Sequence, residues 1–321
     1  MPHFRWRRAI NVTMPHSQSG GEGKAVNKER KANDSKKRSR EAKAEKYRAK
    51  QELLEKKQRR HDERQSWVHE NASWASLVSD SDVDAIKRNG CETGDRRRLL
   101  LPYVRLKDSG DRLIGKDGNR RFIAEGTETV RLLLGQRNAI RIESIFVKPS
   151  VFFDEPVSLI GSIGENDDDR PQYHVLIAEE SLICSLLGFQ TTRGALACGV
   201  VPEERDEAWA LKYAAEIKER EGGLRVLALD GVCDTANLGS IIRSASAFAV
   251  HVIFLSSDCC DPWYRRSIRV SMGHVFRVPC VRVDNLANTV SRIAEELNVV
   301  SYAAVVDSQA ELVLEEMPRG K

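Results

Sequence analysis

The chain reads as α/β, built around a parallel sheet, and three stretches carry that reading. Residues 224–229 (LRVLAL) form a short, almost unbroken apolar run of the kind that fills a parallel sheet covered on both faces. Asp230 and Gly231 break the run, after which Leu238, Ile241, Ile242, Ala245 and Phe248 recur at helical spacing. Between Lys24 and Arg64, 17 Lys or Arg stand against 8 Asp or Glu, with almost no large apolar residue besides Tyr47, Leu53 and Leu54. Such a segment cannot bury a core, so a basic extension precedes the folded part.

Each element follows in order. Within the basic arm, Glu52 with Lys56 and Glu55 with Arg59 place opposite charges four residues apart, and Ala, Glu, Lys and Gln abound. The expectation is a flexible segment or a solvated single helix. Its functional reading is electrostatic capture of structured RNA, which would weaken with salt. The net charge of +4 for the 321 residues therefore hides a basic arm on an acidic remainder. The length allows about two domains of ordinary size.

Beyond the arm, residues 121–134 (RFIAEGTETVRLLL) read as a strand, a Glu125-Gly126 turn and a helix. Residues 177–189 (IAEESLICSLLGF) read as a further helix. Residues 224–229 are expected to be a central strand, with Asp234, Thr235 and Asn237 giving polar turn chemistry before the next helix. In open sheets of this kind ligands collect beyond the carboxyl ends of the strands, where helix N-termini offer free N–H groups to phosphates. Arg243 would project from the first or second turn of that helix, where a guanidinium can hold a phosphodiester in a bidentate fork. Residues 285–296 read as a helix and residues 298–306 (NVVSYAAVV) as another strand.

These residues resemble the SpoU (TrmH-like) branch of the SPOUT RNA methyltransferases. The family's first motif is Asn-Leu-Gly, three residues, then Arg, met here by Asn237, Leu238, Gly239 and Arg243. Its second block is matched by residues 267–279 (SIRVSMGHVFRVP), with Ser271, Gly273 and Pro279 in place and His274 where Ala is usual. Upstream, Glu125 and Gly126 resemble the opening of the family's substrate-binding module. Thr191, Arg193, Gly194, Leu196 and Ala197 resemble its close, with Thr192 at the Pro position. That module is similar to the L7Ae/L30e type of RNA-binding fold.

The resemblance implies methyl transfer from S-adenosylmethionine to a ribose 2′-OH of ribosomal or transfer RNA. Arg243 would grip the phosphate beside the target ribose and ease deprotonation of its hydroxyl, while Asn237 shapes the loop facing it. Arg243, Glu125, Gly126, Arg193 and Gly194 would contact RNA, and a homodimer is implied. The implied organisation is a basic extension with a transit segment over residues 1–100, an L30e-like domain over 118–204, a linker helix over 205–222 and a parallel-sheet SPOUT domain over 223–321. The family's later Gly-Asn/Ser-Glu-Gly, Ile-Pro-Met and Ser-Leu-Asn-Val-Ser motifs, which form its α/β knot and most of its cofactor pocket, do not occur in these residues. The SPOUT domain is therefore expected to be incomplete, cut before the knot. The alternative reading is a catalytically inactive RNA-binding ribosome-assembly factor. A third is an interaction protein whose arm contacts other partners.

Other signals exclude more than they suggest. Arg5, Arg7 and Arg8 in an acid-free leader suit a mitochondrial or plastid transit segment, with Lys36-Lys37-Arg38-Ser39-Arg40 as the nuclear alternative. No stretch approaches the roughly 18 apolar residues of a membrane span. The seven cysteines lack C-x-x-C spacing, so neither zinc nor a disulfide framework is expected. Gly110 to Lys116 mimics a P-loop, but Asp117 replaces its Ser/Thr. No G-x-G-x-x-G and no Ser-His-Asp or Cys-His pattern stands out, and His251 and His274 read as strand and loop residues.

Overall fold

A computed structural model describes residues 21–71, 73–89, 96–104, 106, 113–115, 117–154, 173–190 and 194–304. The chain divides into two compact units, residues 1–64 and residues 65–321.

Helix α1 runs over Gly21–Glu70, so the basic arm is helical where it is described. Residues 41–63 are exposed all round, Tyr47, Leu53 and Leu54 included, as the lack of an apolar stripe requires. Local pairs such as Gln58 Nε2 donating to the Asp62 carboxylate at 2.9 Å support it.

The second unit holds two sheets. The first has six strands: β1 (Ala75–Leu77), β2 (Leu113–Ile114), β3 (Arg120–Glu125), β4 (Ile142–Val147), β5 (His174–Ile177) and β6 (Ala195–Val200). Their order is β1-β5-β4-β6-β3-β2, parallel across β1, β5 and β4 and antiparallel from β4 onward. Helices α2 (Asp80–Asn89), α3 (Thr127–Leu134) and α4 (Glu180–Leu187) accompany it. The strand-turn-helix expected over 121–134 and the helix expected within 177–189 both form.

This sheet starts earlier than the sequence suggests. Residues 1–100 read as an extension, yet β1 pairs with β5, and Val83, Ile86 and Leu100 are buried in one core with Tyr103. The Tyr103 hydroxyl, fully buried, lies 3.0 Å from both the Ser144 carbonyl and its Oγ. A three-residue strand and a short 3₁₀ turn over Arg96–Tyr103 carry too little periodicity to be seen beforehand.

The second sheet is parallel: β7 (Val226–Leu229), β8 (Val252–Leu255) and β9 (Cys280–Arg282) in that order. Among the described residues β7 is an edge strand and β8 the central one. Residues 252–255 are all buried whereas Ala228 of β7 is exposed, so the expectation of a central strand at 224–229 is corrected. Helix α5 (Glu207–Glu221), expected as a linker, instead packs Ala210 and Leu211 against Val252, Phe254 and Val281 of this sheet. Helices α6 (Thr235–Ala247), α7 (Arg265–Val270) and α8 (Leu286–Glu296) complete it, α8 being capped by Asn285, which accepts from the Asn288 N–H at 3.0 Å. No strand forms over residues 298–304, and Val300 and Tyr302 are exposed there; residues 305 and 306 of the expected strand lie outside the described residues.

Candidate nucleic-acid interface

The second motif does its work by closing α7. Ser271 N–H bonds back to the Ser267 carbonyl at 2.8 Å and Gly273 N–H to Ile268 at 3.0 Å. Met272 and Gly273 both take left-handed backbone, with φ of 53° and 83°. Glycine fits the second of these positions doubly, because a Cβ there would come within 3.3 Å of the Thr129 carbonyl oxygen of α3. Ser271 is fully buried, its hydroxyl on the Ile268 carbonyl at 3.0 Å. The Pro279 carbonyl opens the β8–β9 ladder by accepting from Ile253 N–H at 2.9 Å. These residues position; they touch no open surface chemistry.

The first motif lies inside a helix. Asp234 caps α6, accepting from Ala236 N–H at 2.9 Å and Asn237 N–H at 2.8 Å, so the polar turn ends before Asn237. The expected Asn-Leu-Gly loop is thus the first turns of α6, and the free N–H groups expected for a phosphate are already taken by a carboxylate. Leu238 is fully buried in the core. Gly239 lets α6 lie on α7: a Cβ would sit 2.7 Å from the Ser267 carbonyl oxygen and 2.9 Å from Val270 Cβ. Ser267, itself buried, donates its hydroxyl to the Thr235 carbonyl at 3.1 Å.

Arg243 follows in the third turn of α6, later than expected, and is exposed. It stands one turn beyond Gly239 and one turn before Ser246, on the face that runs along α7 and the 3₁₀ turn His274–Phe276. Asn237 lies elsewhere on the helix, lining a depression of about 450 Å³ with Gly231, Val232, Cys233, Asp234, Ser240 and Ile241. The two residues expected to act together therefore face different surfaces. Among the described residues neither Arg243 nor Arg277, also exposed, has a carboxylate within ion-pair distance. By contrast Arg120, Arg121, Arg131, Arg269 and Arg292 all do.

The upstream candidates turn inward. Glu125, only 3% exposed, faces Arg269 of α7 at 3.6 Å, which withdraws its carboxylate from any RNA contact. Gly126 starts α3 at φ 109°, its N–H on the Ala195 carbonyl. At Gly194, with φ 76°, a Cβ would meet Val151 Cγ2 at 2.5 Å, so its role is close packing. Arg193 lies outside the described residues. Sequence reasoning missed Arg277 and the contact of His274 with α6, for which spacing gives no signal.

A cleft of about 1060 Å³ also opens beside the second sheet, lined in part by Arg120, Trp209, Trp263, Arg277 and Arg282. Two of its cations are already engaged: Arg282 donates to the Ser256 and Ser257 carbonyls at 2.7 and 2.9 Å, and Arg120 pairs with Glu204 and Asp261. Among the described residues no group of His, Cys, Asp or Glu could hold a metal ion, and no helix is long and apolar enough to cross a membrane.

The fold and the site together are those of an α/β protein with a parallel sheet and an exposed arginine, Arg243, on the helix that follows its first strand. Residues 225–316 match the model of the SpoU rRNA Methylase family. A tRNA/rRNA methyltransferase of Mycobacterium tuberculosis, described as uncharacterized, is 33% identical over 175 residues, 51% of this chain and 50% of that protein. The 23S rRNA (guanosine-2′-O-)-methyltransferase RlmB of Salmonella typhi is 34% identical over 93 residues, 29% of this chain and 38% of that protein. The crystal structure of an AdoMet-bound rRNA methyltransferase from Sinorhizobium meliloti aligns with 66% of each chain at 20% identity and a TM-score of 0.41. The chain spans about half the length of the mycobacterial relative, or less of the Salmonella one.

Proposed function

We propose that this chain belongs to an RNA methyltransferase that acts on a ribose 2′-OH of ribosomal or transfer RNA, with Arg243 holding the phosphate next to the target. The observation that carries the proposal is the exposed, unpaired Arg243 within a segment of the SpoU rRNA Methylase family. A guanidinium can take two phosphate oxygens at once. Positive charge held beside a ribose also favours the oxyanion that forms as the hydroxyl loses its proton. Ribosomal RNA is the preferred substrate, in keeping with what the Salmonella relative's name says it methylates.

S-adenosylmethionine, the cofactor bound in the Sinorhizobium structure, is the proposed methyl donor. It supplies an activated methyl group when bound. The described residues do not by themselves form an enclosed site for it: the depression beside Asn237 is shallow, and Arg120 and Arg282 in the larger cleft are engaged with carboxylates and carbonyls. The contribution proposed for the described residues is gripping and orienting RNA. A homodimer, and an organelle reached through the Arg5, Arg7 and Arg8 leader, belong to the same proposal.

The test is Arg243→Ala in the protein at its full natural length, read by transfer of labelled methyl groups to ribosomal RNA. Loss of one such electrostatic contact should cost about 100-fold in turnover, with thermal unfolding unmoved because the side chain is exposed. Retained turnover would overturn the assignment. The shallowness of the depression beside Asn237 among the described residues favours a second reading, RNA binding without methyl transfer. RNA binding with no affinity for S-adenosylmethionine would establish that reading.

A further inference from the structure

The second motif carries His274 at a position where the family pattern has Ala. Its Nδ1 lies 2.8 Å from Ser246 Oγ, which fixes the imidazole against α6 one turn beyond Arg243. Arg277 follows one turn later in the same chain segment, its N–H on the His274 carbonyl at 3.0 Å. The charges of Arg277 and Arg243 both bear on the half-buried His274, and neither arginine has a carboxylate partner among the described residues. The other elements packed there offer no neutralising charge to spare. On α3, Glu128 is paired with Arg131, and on α7, Arg269 is turned to Glu125.

We propose that His274, Arg243 and Arg277 form a single phosphate clamp whose third positive charge arrives with a proton, so that RNA is held more tightly in mild acid. In the absence of RNA, burial and then the charges of Arg277 and Arg243 hold the imidazole below its ordinary value, keeping it neutral near pH 7. A phosphodiester placed between the guanidinium groups reverses that balance, because it cancels their repulsion and accepts from the imidazolium. Binding then takes up a proton, and by linkage affinity must rise as pH falls. The inference rests on the reading of Arg243 as a phosphate contact.

Anisotropy of a labelled single-stranded RNA, at fixed ionic strength, tests it with the full chain near pH 5.5 and near pH 7.5, about one unit either side of histidine's usual value. The unsubstituted chain should bind about tenfold more tightly at the lower pH. Its salt slope there should steepen by about 0.7, one added phosphate contact. His274→Gln, which keeps a hydrogen-bonding side chain at Ser246 but cannot charge, should lose that increment and keep the neutral-pH affinity. An equal pH response in both proteins would overturn the clamp, since every other histidine is common to both. Arg243→Ala should weaken binding at both pH values. If it does not, the Arg243 reading fails with the clamp, whereas a normal Arg243 effect with an unchanged pH response sinks the clamp alone. Without RNA, the His274 ring protons followed by NMR should titrate at higher pH in Arg277→Gln, and an unmoved midpoint would refute the grouping.

Discussion

Single side chains in this molecule are sorted by where their chemistry is spent, and the cysteines show it plainly. Cys198, fully buried on β6, has its thiol pushed up to about 12 by burial and, second, by the nearby negative charge of Glu143. Cys233 is exposed in the turn before α6, its thiol donating to the Gly231 and Asp258 carbonyls. Because the thiolate is the nucleophile, Cys198 should resist alkylation in the native state. With iodoacetamide near neutral pH, mass spectrometry should find Cys233 modified first and Cys198 at least about 100-fold slower. Comparable rates would show that β6 opens readily. The same sorting separates the arginines: Arg120, Arg121, Arg131, Arg269, Arg282 and Arg292 are spent on carboxylates or carbonyls, while Arg243 and Arg277 are not. Sequence pattern pointed to Arg243 because its spacing from Asn237 is fixed within one helix. It could not point to Arg277, whose relevance comes only from the way the His274 turn lies along α6.

At the scale of elements, the motif glycine sets how closely α6 and α7 approach. Both obstacles to a Cβ at Gly239 lie on α7, and one is a backbone carbonyl that cannot rotate aside. Gly239→Ala should therefore separate the two helices and cost about 1–3 kcal/mol, the usual cost of overpacking, against the gain that alanine normally brings to a helix interior. Urea unfolding would measure it, and a neutral or stabilising result would mean that the helices slide without penalty. The helices themselves were largely legible, since α3, α4, α6 and α8 each show apolar spacing of helical period in the sequence. Their exact beginnings were not, because Asp234 rather than the motif's Asn237 supplies the cap. Strand β1 was illegible for a different reason. Ala75, Ser76 and Leu77 acquire meaning only through pairing with β5, whose partner residues lie one hundred positions away in sequence. The run at 224–229 misled in the opposite sense: it is apolar enough for a central strand, but β8 occupies that place among the described residues.

Across the whole second unit, the two sheets share one apolar core, and β3 adds polar and aromatic contacts to the segment around α7. Phe122 meets Trp263 and Phe276 with ring centroids 5.1 and 5.4 Å apart, Arg120 pairs with Asp261, and the buried Glu125 faces Arg269. The Glu125–Arg269 pair is unequal in exposure, at 4% for the carboxylate side chain and 34% for the guanidinium side chain. Removing either partner should thus have different consequences. Arg269→Met leaves a carboxylate in the interior without its guanidinium, and such a loss costs about 3 kcal/mol. Glu125→Gln leaves a guanidinium that can turn to water, and the amide keeps the shape of the acid, so the cost should be about 1 kcal/mol. The double substitution should cost less than the sum of the two, because neither charge is then left behind. Urea midpoints of the three variants decide the matter. Equal losses for the single variants, with strict additivity, would show that the pair is solvated and that the shared apolar core holds the sheets together without it. The predicted asymmetry would instead show that the Glu125-Gly126 turn serves to dock one sheet on the other.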